Sequence, residues 1–304
     1  MTKPLYYTGL RKKEIMDRMN IKAPAKINLF LKILGKRQDG YHNILSWFQA
    51  VDLFDYLSFE KTGGKGIELA IDGDHSLPTD SDNLITRTAG LLFERYDLQG
   101  GLKIRLTKNI PIAAGLGGGS SDAAATIYAI NSLYELNLAA EKFNDSGLAI
   151  GSDVPFFFSS GQGEVSGRGG DIKEIDLPTD YFIILVTPKL EISTGESYRR
   201  LNLGLTSNDA NVKLYSCSNF KQLIDCIGDL GNDFESMHLQ SYPVLGRIMD
   251  ALNRAGAELT RMSGSGPTIF GLFKDMPERE DLIQITRGDW QLMTVRPITL
   301  PAWE

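Results

Sequence analysis

The sequence predicts a two-domain protein of the α+β class. Three observations carry that expectation. The chain has 304 residues, more than a single core usually serves. A period-two segment at residues 101–107 runs through a glycine-rich loop into a helical segment. A second glycine loop, at residues 263–267, leads into another strand-like run well beyond a glycine-rich break at 161–170.

The elements follow in order. Residues 1–18 mix Arg11, Lys12 and Lys13 with Glu14 and Asp17 and are set aside as a disordered extension outside the fold. Residues 25–34 read as a strand with Ile27, Leu29, Leu31 and Ile33 on one face, so Lys26 and Asn28 share the other. A polar turn containing Asp39-Gly40-Tyr41-His42 leads into an element rich in aromatics at Trp47, Phe48 and Phe54. Ser81 or Asp82 caps a helix that runs to about Tyr96, with Leu84, Ala89, Leu91, Leu92 and Phe93 on its apolar face.

Residues 101–107 set Leu102, Ile104 and Leu106 against Lys103, Arg105 and Thr107, the pattern of a half-buried strand. From Asp122 the period changes, and Ile127, Ile130, Leu133, Tyr134 and Leu136 form a helical face. Residues 151–155 make a polar turn in which Pro155 biases Val154 toward an extended conformation. The thinning of apolar residues near 161–170 places a domain boundary there, giving domains 19–165 and 166–304. A buried strand at 181–187, a helix at 243–255 with Pro243 near its start and Gly256 past its end, and a strand at 268–273 complete the second domain.

The loop between the strand and the helix is the most informative stretch. Gly115, Gly117, Gly118 and Gly119, followed by Ser120 and Ser121, leave backbone N–H groups uncovered where a helix begins. Unpaired donors and the partial positive charge of a helix N-terminus make an anion cradle, and phosphate is its natural occupant. The loop has neither the lysine of a Walker A motif nor the third glycine of a dinucleotide fingerprint, and the His-Arg-Asp and Asp-Phe-Gly set of protein kinases does not occur.

Composition narrows the partners. A formal charge of −6 argues against nucleic acid and against an anionic membrane surface. No apolar run reaches membrane-spanning length and no signal peptide is evident, so a cytoplasmic protein acting on small molecules is expected. Cys217 and Cys226 fit no metal or disulfide pattern and read as reduced, structural thiols. His75 and His238 lie in no motif.

Three segments, in order, carry a resemblance: Ala23-Pro24-Ala25-Lys26-Ile27-Asn28-Leu29, the loop from Pro111 to Ala125, and Ser263-Gly264-Ser265-Gly266-Pro267-Thr268-Ile269-Phe270. On these the chain resembles the superfamily named for galactokinase, homoserine kinase, mevalonate kinase and phosphomevalonate kinase, the GHMP kinases. The triple-glycine loop, Asp39-Gly40-Tyr41-His42, Gly151-Ser152-Asp153-Val154-Pro155-Phe156 and Asn232-Asp233-Phe234-Glu235 make it most similar, within that superfamily, to the kinases of 4-diphosphocytidyl-2-C-methyl-D-erythritol. The likeness runs from about residue 21 to the last strands. It implies an N-terminal domain like the second domain of ribosomal protein S5, a ferredoxin-like C-terminal domain, and an active site in the cleft between them.

The resemblance also implies a reaction and a set of residues. ATP would give its γ-phosphate to the 2-hydroxyl of the cytidylyl substrate, a step in non-mevalonate isoprenoid precursor biosynthesis, with Mg²⁺ neutralising phosphate charge. Asp153 matches the family's base and Lys26 its partner lysine; alone, they read as a turn residue and a solvated strand lysine. Pro111, Gly115, Leu116, Gly117, Gly118, Gly119, Ser120 and Ser121 would hold the phosphates, with Asn83, Leu84 and Lys108 near adenine and ribose. In isolation Asn83 and Leu84 also suit helix capping and core packing, and Lys108 a charge at a strand end. Asn28, Tyr41 and His42 would form the cytosine pocket, completed by Thr194 and Tyr198, although that last segment lacks the proline and phenylalanine common in the family. No metal ligand is assigned; Ser120, Ser121 and Asp122 are the nearby donors. The protein is expected to be a monomer or homodimer. The alternatives are a homoserine or mevalonate type of kinase, or a ligand sensor on the same fold that lacks turnover.

Overall fold

The computed structural model describes residues 17–72, 77–201, 217–278, 280 and 288–300. Most of the disordered extension expected at residues 1–18, together with His75, lies outside them. Among the described residues, two sheets organise the molecule. The first contains β1 (Arg18–Lys36), β2 (His42–Thr62), β3 (Gly66–Asp72), β4 (Gly101–Thr107), β5 (Gln162–Gly167) and β6 (Asp171–Glu174). Its order is β3-β4-β2-β5-β6, with β1 antiparallel along the whole length of β2.

The helices of the first half are α1 (Leu84–Arg95), α2 (Gly118–Leu133) and α3 (Ala140–Ile150). Helix α2 is buried nearly all round, because it lies between the sheet and the neighbouring helices. The second sheet has β7 (Phe182–Pro188), β8 (Leu259–Met262), β9 (Ile269–Phe273) and β10 (Trp290–Val295) in the order β10-β7-β9-β8, all antiparallel. This fourth-first-third-second arrangement is that of a ferredoxin-like domain. Helices α4 (Thr194–Arg200), α5 (Phe220–Ile227), α6 (Glu235–Ser241) and α7 (Pro243–Arg254) accompany it. Strand β7 is apolar on both faces: Ile183 and Leu185 belong to the cluster of α5, and Ile184 and Val186 to that of α7.

Several sequence expectations are corrected here. Strand β1 begins at Arg18, well before residue 25, and does not keep one apolar face: register shifts between Pro24 and Ala25 and between Asn28 and Phe30 turn it. Ile27 and Leu29 therefore join the core of the second sheet, while Leu31 and Ile33 join that of the first. The N-cap of α1 is Asn83, not Ser81 or Asp82; its side chain accepts from the Ile85 N–H. Helix α2 starts at Gly118, four residues before Asp122, and Tyr134 and Leu136 fall beyond its end.

Val154 is right-handed helical, not extended, because it opens a short 3₁₀ turn (Pro155–Phe158) and is completely buried there. Helix α3 has no counterpart in the sequence reading. The boundary expected between residues 165 and 166 falls inside β5, whose ladder pairs Val165 with Ser46 and Ser166 with Leu45. Glycines in this stretch serve close strand packing and a turn rather than a linker: a Cβ on Gly163 would stand 3.0 Å from Ile172.

Candidate active site

The site is assembled where β1, the α2 loop and the second glycine loop meet. Gly115 and Gly117 both have positive φ, 76° and 71°, and Gly117 is the N-cap of α2. A Cβ on Gly117 would lie 2.9 Å from the Lys26 side chain, so the lysine crosses the loop only because that position is bare. A Cβ on Gly115 would lie 2.1 Å from the Ser263 carbonyl oxygen, so the two glycine loops also touch. Ser263 Oγ donates to the Gly115 carbonyl at 2.8 Å and accepts from the Asn28 N–H at 3.2 Å.

Lys26 is 3 % exposed. Its Nζ donates to Asn28 Oδ1 at 2.6 Å and to the Gly115 carbonyl at 3.3 Å, sits 4.5 Å from the Phe48 ring centre, and lies 3.4 Å from Asp153 Oδ2. The Asp153 side chain is about one-third exposed, at 32 %. A buried ammonium thus faces a carboxylate open to a cavity of about 600 Å³. The cavity is lined by Lys26, Asn28, Asn83, Leu84, Lys108, Pro111, Gly115 to Ser120, Asp153, Thr194 and Tyr198, together with Asp122, Phe234 and Ser265.

Three residues expected in the site do not line that cavity. Ser121 points into the protein; it is 1 % exposed, and its hydroxyl has no hydrogen-bond partner among the described residues. His42 stacks on Tyr198 with ring centres 4.9 Å apart and planes at 21°. Tyr41 is exposed, and its ring carries the Arg168 guanidinium at 3.8 Å. Burial and the Lys36 charge lower the His42 pKa, so its imidazole is neutral around pH 7. Tyr198 is pushed up to about 12 by burial and by the Asp153 charge, so its phenol stays protonated.

The residues expected beside adenine and ribose are more tightly tied than the sequence suggests. Asn83 caps α1 with Oδ1 and donates from Nδ2 to the Pro78 carbonyl at 2.9 Å, so its amide is occupied by the fold. Lys108 Nζ is gripped by Asp55 Oδ2 at 2.5 Å and Asp122 Oδ2 at 2.7 Å. Although burial disfavours its charge, Asp122 and Asp55 raise the Lys108 pKa. Burial and the Asp55 charge, opposed by Lys108, push Asp122 up to about 7. Thr194 Oγ1 and Ser265 Oγ share a hydrogen bond at 2.7 Å, joining α4 to the second glycine loop.

The sequence alone assigns no site role to Asp55, Phe48, Arg168, Asn232, Ser263 or Ser265. Ser263 and Ser265 lie within one motif that carries the resemblance, Asn232 within another, and Phe48 in the aromatic-rich stretch after the Tyr41 turn; Asp55 and Arg168 carry no local signal. Asn232 Nδ2 donates to the carbonyls of Met262 at 2.8 Å and Gly264 at 2.7 Å, fixing the second loop. Cys217 and Cys226 lie together, their sulfurs 2.8 Å apart, away from the cavity.

Comparison with known proteins agrees with this architecture. The family descriptions "GHMP kinases N terminal domain" and "GHMP kinases C terminal" match residues 83–161 and 211–287. A 4-diphosphocytidyl-2-C-methyl-D-erythritol kinase of Syntrophus aciditrophicus is 39 % identical over 283 residues, covering 92 % of this chain and 99 % of that protein. A crystal structure of a 4-(cytidine 5'-diphospho)-2C-methyl-D-erythritol kinase superposes with a TM-score of 0.72 at 29 % identity, over 91 % of this chain and 99 % of the other. A homoserine kinase from Cytophaga hutchinsonii, with a TM-score of 0.70 at 19 % identity over 96 % of this chain and 98 % of its own, shares the fold. With loop, lysine and carboxylate arranged as described, the chain belongs to the GHMP kinases and, among them, to the 4-diphosphocytidyl-2-C-methyl-D-erythritol kinase family.

Proposed function

We propose that this kinase transfers the γ-phosphate of ATP to the 2-hydroxyl of 4-diphosphocytidyl-2-C-methyl-D-erythritol. The observation that carries the reading is the Lys26 and Asp153 pair, 3.4 Å apart beside the glycine loop. An alcohol is a weak nucleophile, so Asp153 accepts a hydrogen bond from the hydroxyl and takes its proton as the new O–P bond forms. The bond from the γ-phosphorus to the bridging oxygen breaks, and ADP leaves with that oxygen. Lys26, already desolvated, stabilises charge growing on the transferring group, and the backbone amides of the Gly115 to Ser120 loop hold the phosphates.

Mg²⁺ suits the donor set. Asp122 Oδ1 is buried at the start of α2 with no hydrogen-bond partner among the described residues, and Ser120 lines the same cavity. Hard oxygens of this kind, one carboxylate with the phosphates completing the shell, are how Mg²⁺ is usually held with ATP. Ser120 and Asp122 are therefore the residues assigned to it, and when bound it neutralises the clustered phosphate charge.

Cytosine recognition is assigned to Tyr41, His42 and Tyr198, with Asn28 and Thr194 bordering the substrate. Because His42 already lies against Tyr198, the base is expected to part or extend that stack. A cytoplasmic location and a monomer or homodimer belong to the same reading. The test is an ADP-release assay with the cytidylyl substrate, homoserine and mevalonate offered separately. Turnover with the first alone is expected; turnover with either of the others alone moves the assignment to another superfamily kinase, and none with all three points to a sensor.

A further inference from the structure

Among the described residues, Asp55 is the one fully buried carboxylate that the mechanism above leaves unused. It lies on β2, just past the last rung of the β2–β4 ladder, which ends at Tyr56 opposite Thr107. Beyond that rung the N–H groups of Asn109 and Ile110 have no strand partner. Asp55 Oδ1 accepts from both, at 2.7 and 2.9 Å, while Oδ2 takes the Lys108 ammonium at 2.5 Å. One carboxylate thus fixes three consecutive residues that lead directly into Pro111 and the glycine loop. The β1–β2 register shift opposite this point, where Ala25 pairs with Val51 but Pro24 with Phe54, puts extra residues into β2 just before Asp55.

The lysine so held borders the cavity. Its second bond goes to Asp122 on the first turns of α2, and Gly118 is bare beside it, since a Cβ there would stand 3.0 Å from Nζ. An ammonium has three N–H groups. Fixing two of them locks rotation about the Cε–Nζ bond, so the third keeps one direction and presents a preset donor to a ligand. A lysine free to rotate would lose that ordering on binding and bind more weakly.

We propose that Asp55 is a positioning residue for the nucleotide half of the site, acting through Lys108 so that the ammonium meets an acceptor atom of ATP. The inference rests on the kinase reading above, in which Lys108 lies on the nucleotide side. Asp55 itself touches no substrate. Its effect belongs in the affinity for ATP rather than in the transfer step.

A double-mutant cycle tests this, using the Michaelis constants for MgATP and for the cytidylyl substrate together with kcat. D55N is expected to raise KM for ATP by about ten-fold while kcat and the other KM change by less than about two-fold. K108M is expected to raise KM for ATP at least as much. The D55N/K108M double variant is expected to be no worse than K108M, because Asp55 then has nothing left to position. Independent, multiplying effects would overturn the proposal, as would a D55N change confined to kcat or shared equally by both substrates. If K108M leaves KM for ATP unaltered, the lysine is not a nucleotide contact and the proposal fails, although turnover by the wild type would still uphold the kinase reading. D55S, smaller and still able to accept from Asn109 or Ile110, serves if D55N does not fold; wild-type KM for ATP in folded D55S would also count against the role.

Discussion

At the level of single residues, the proposed role of Asp153 can be tested apart from that of Lys26, because the lysine is held independently of it. Asn28 Oδ1, the Gly115 carbonyl and the Phe48 ring all grip the ammonium without help from Asp153. Asp153→Asn removes a proton acceptor but almost no volume, and it leaves those contacts standing. The expected result is a fall in kcat of about a thousandfold with ATP affinity changed by less than about two-fold, measured by single-turnover kinetics and calorimetric titration of ATP. Retention of kcat within about ten-fold would remove Asp153 from the role of base.

At the scale of elements, α4 carries Thr194 and Tyr198, and α6 fixes it through a buried imidazole. Ser197 Oγ donates to the Ser193 carbonyl at 2.9 Å, so its contact with His238 Nε2 at 3.1 Å requires the histidine to donate. His238 Nδ1 is then the bare nitrogen, buried and with no partner among the described residues. Burial, reinforced by the nearby Arg200 charge, lowers the His238 pKa below its ordinary value of 6.5. Below that pH the unfolded chain takes up a proton that the folded chain resists. Stability is therefore expected to be flat in this respect above pH 6.5 and to decline as pH falls through and below it. Urea denaturation at pH 7.5 and 5.5 checks this: H238Q, whose amide can still donate to Ser197, is expected to lose less stability between the two than the wild type. An equal loss would show that His238 does not contribute to the slope.

The local elements are largely legible in the sequence. The period-two and helical patterns at residues 101–107 and 243–255 correspond to β4 and α7 nearly residue for residue. Helix α3 was not legible because Ala140–Ile150 has few large apolar residues, and only Ser146, Gly147 and Ile150 are buried. At Val154 the extended preference before proline is worth less than burying that side chain completely.

At the scale of the whole molecule, the two halves are joined by polar contacts made to backbone atoms. Arg261 donates across the junction to the Leu29 carbonyl and Ser263 to that of Gly115, while within the second half Arg261 also donates to the carbonyls of Ile227 and Gly228, and Asn232 to those of Met262 and Gly264. This network holds the second glycine loop against the first, and the cavity lies beside the junction. Gly115→Ala tests the closeness of that approach, since its methyl would meet the Ser263 carbonyl at 2.1 Å in a backbone of positive φ. The expected outcome is a protein that melts several degrees lower and has reduced kcat, because Lys26 and the loop are displaced together. An unchanged melting temperature would show that the loops can part without loss.

The glycine loop at a strand-to-helix junction, the shared face of Lys26 and Asn28, and the polar turn bearing Asp153 are all written into short stretches of the chain. These are local properties, set by backbone freedom at glycine and by side-chain period. Long-range packing, by contrast, brings Lys26 and Asp153, 127 positions apart, to 3.4 Å, His42 onto Tyr198, and Asp55 to Lys108. Those pairings follow from two bulges that turn β1 from one core to the other and from a loop of the second half that reaches the first. Distance along the chain carries no information about such contacts, because they are chosen by which faces must be buried together.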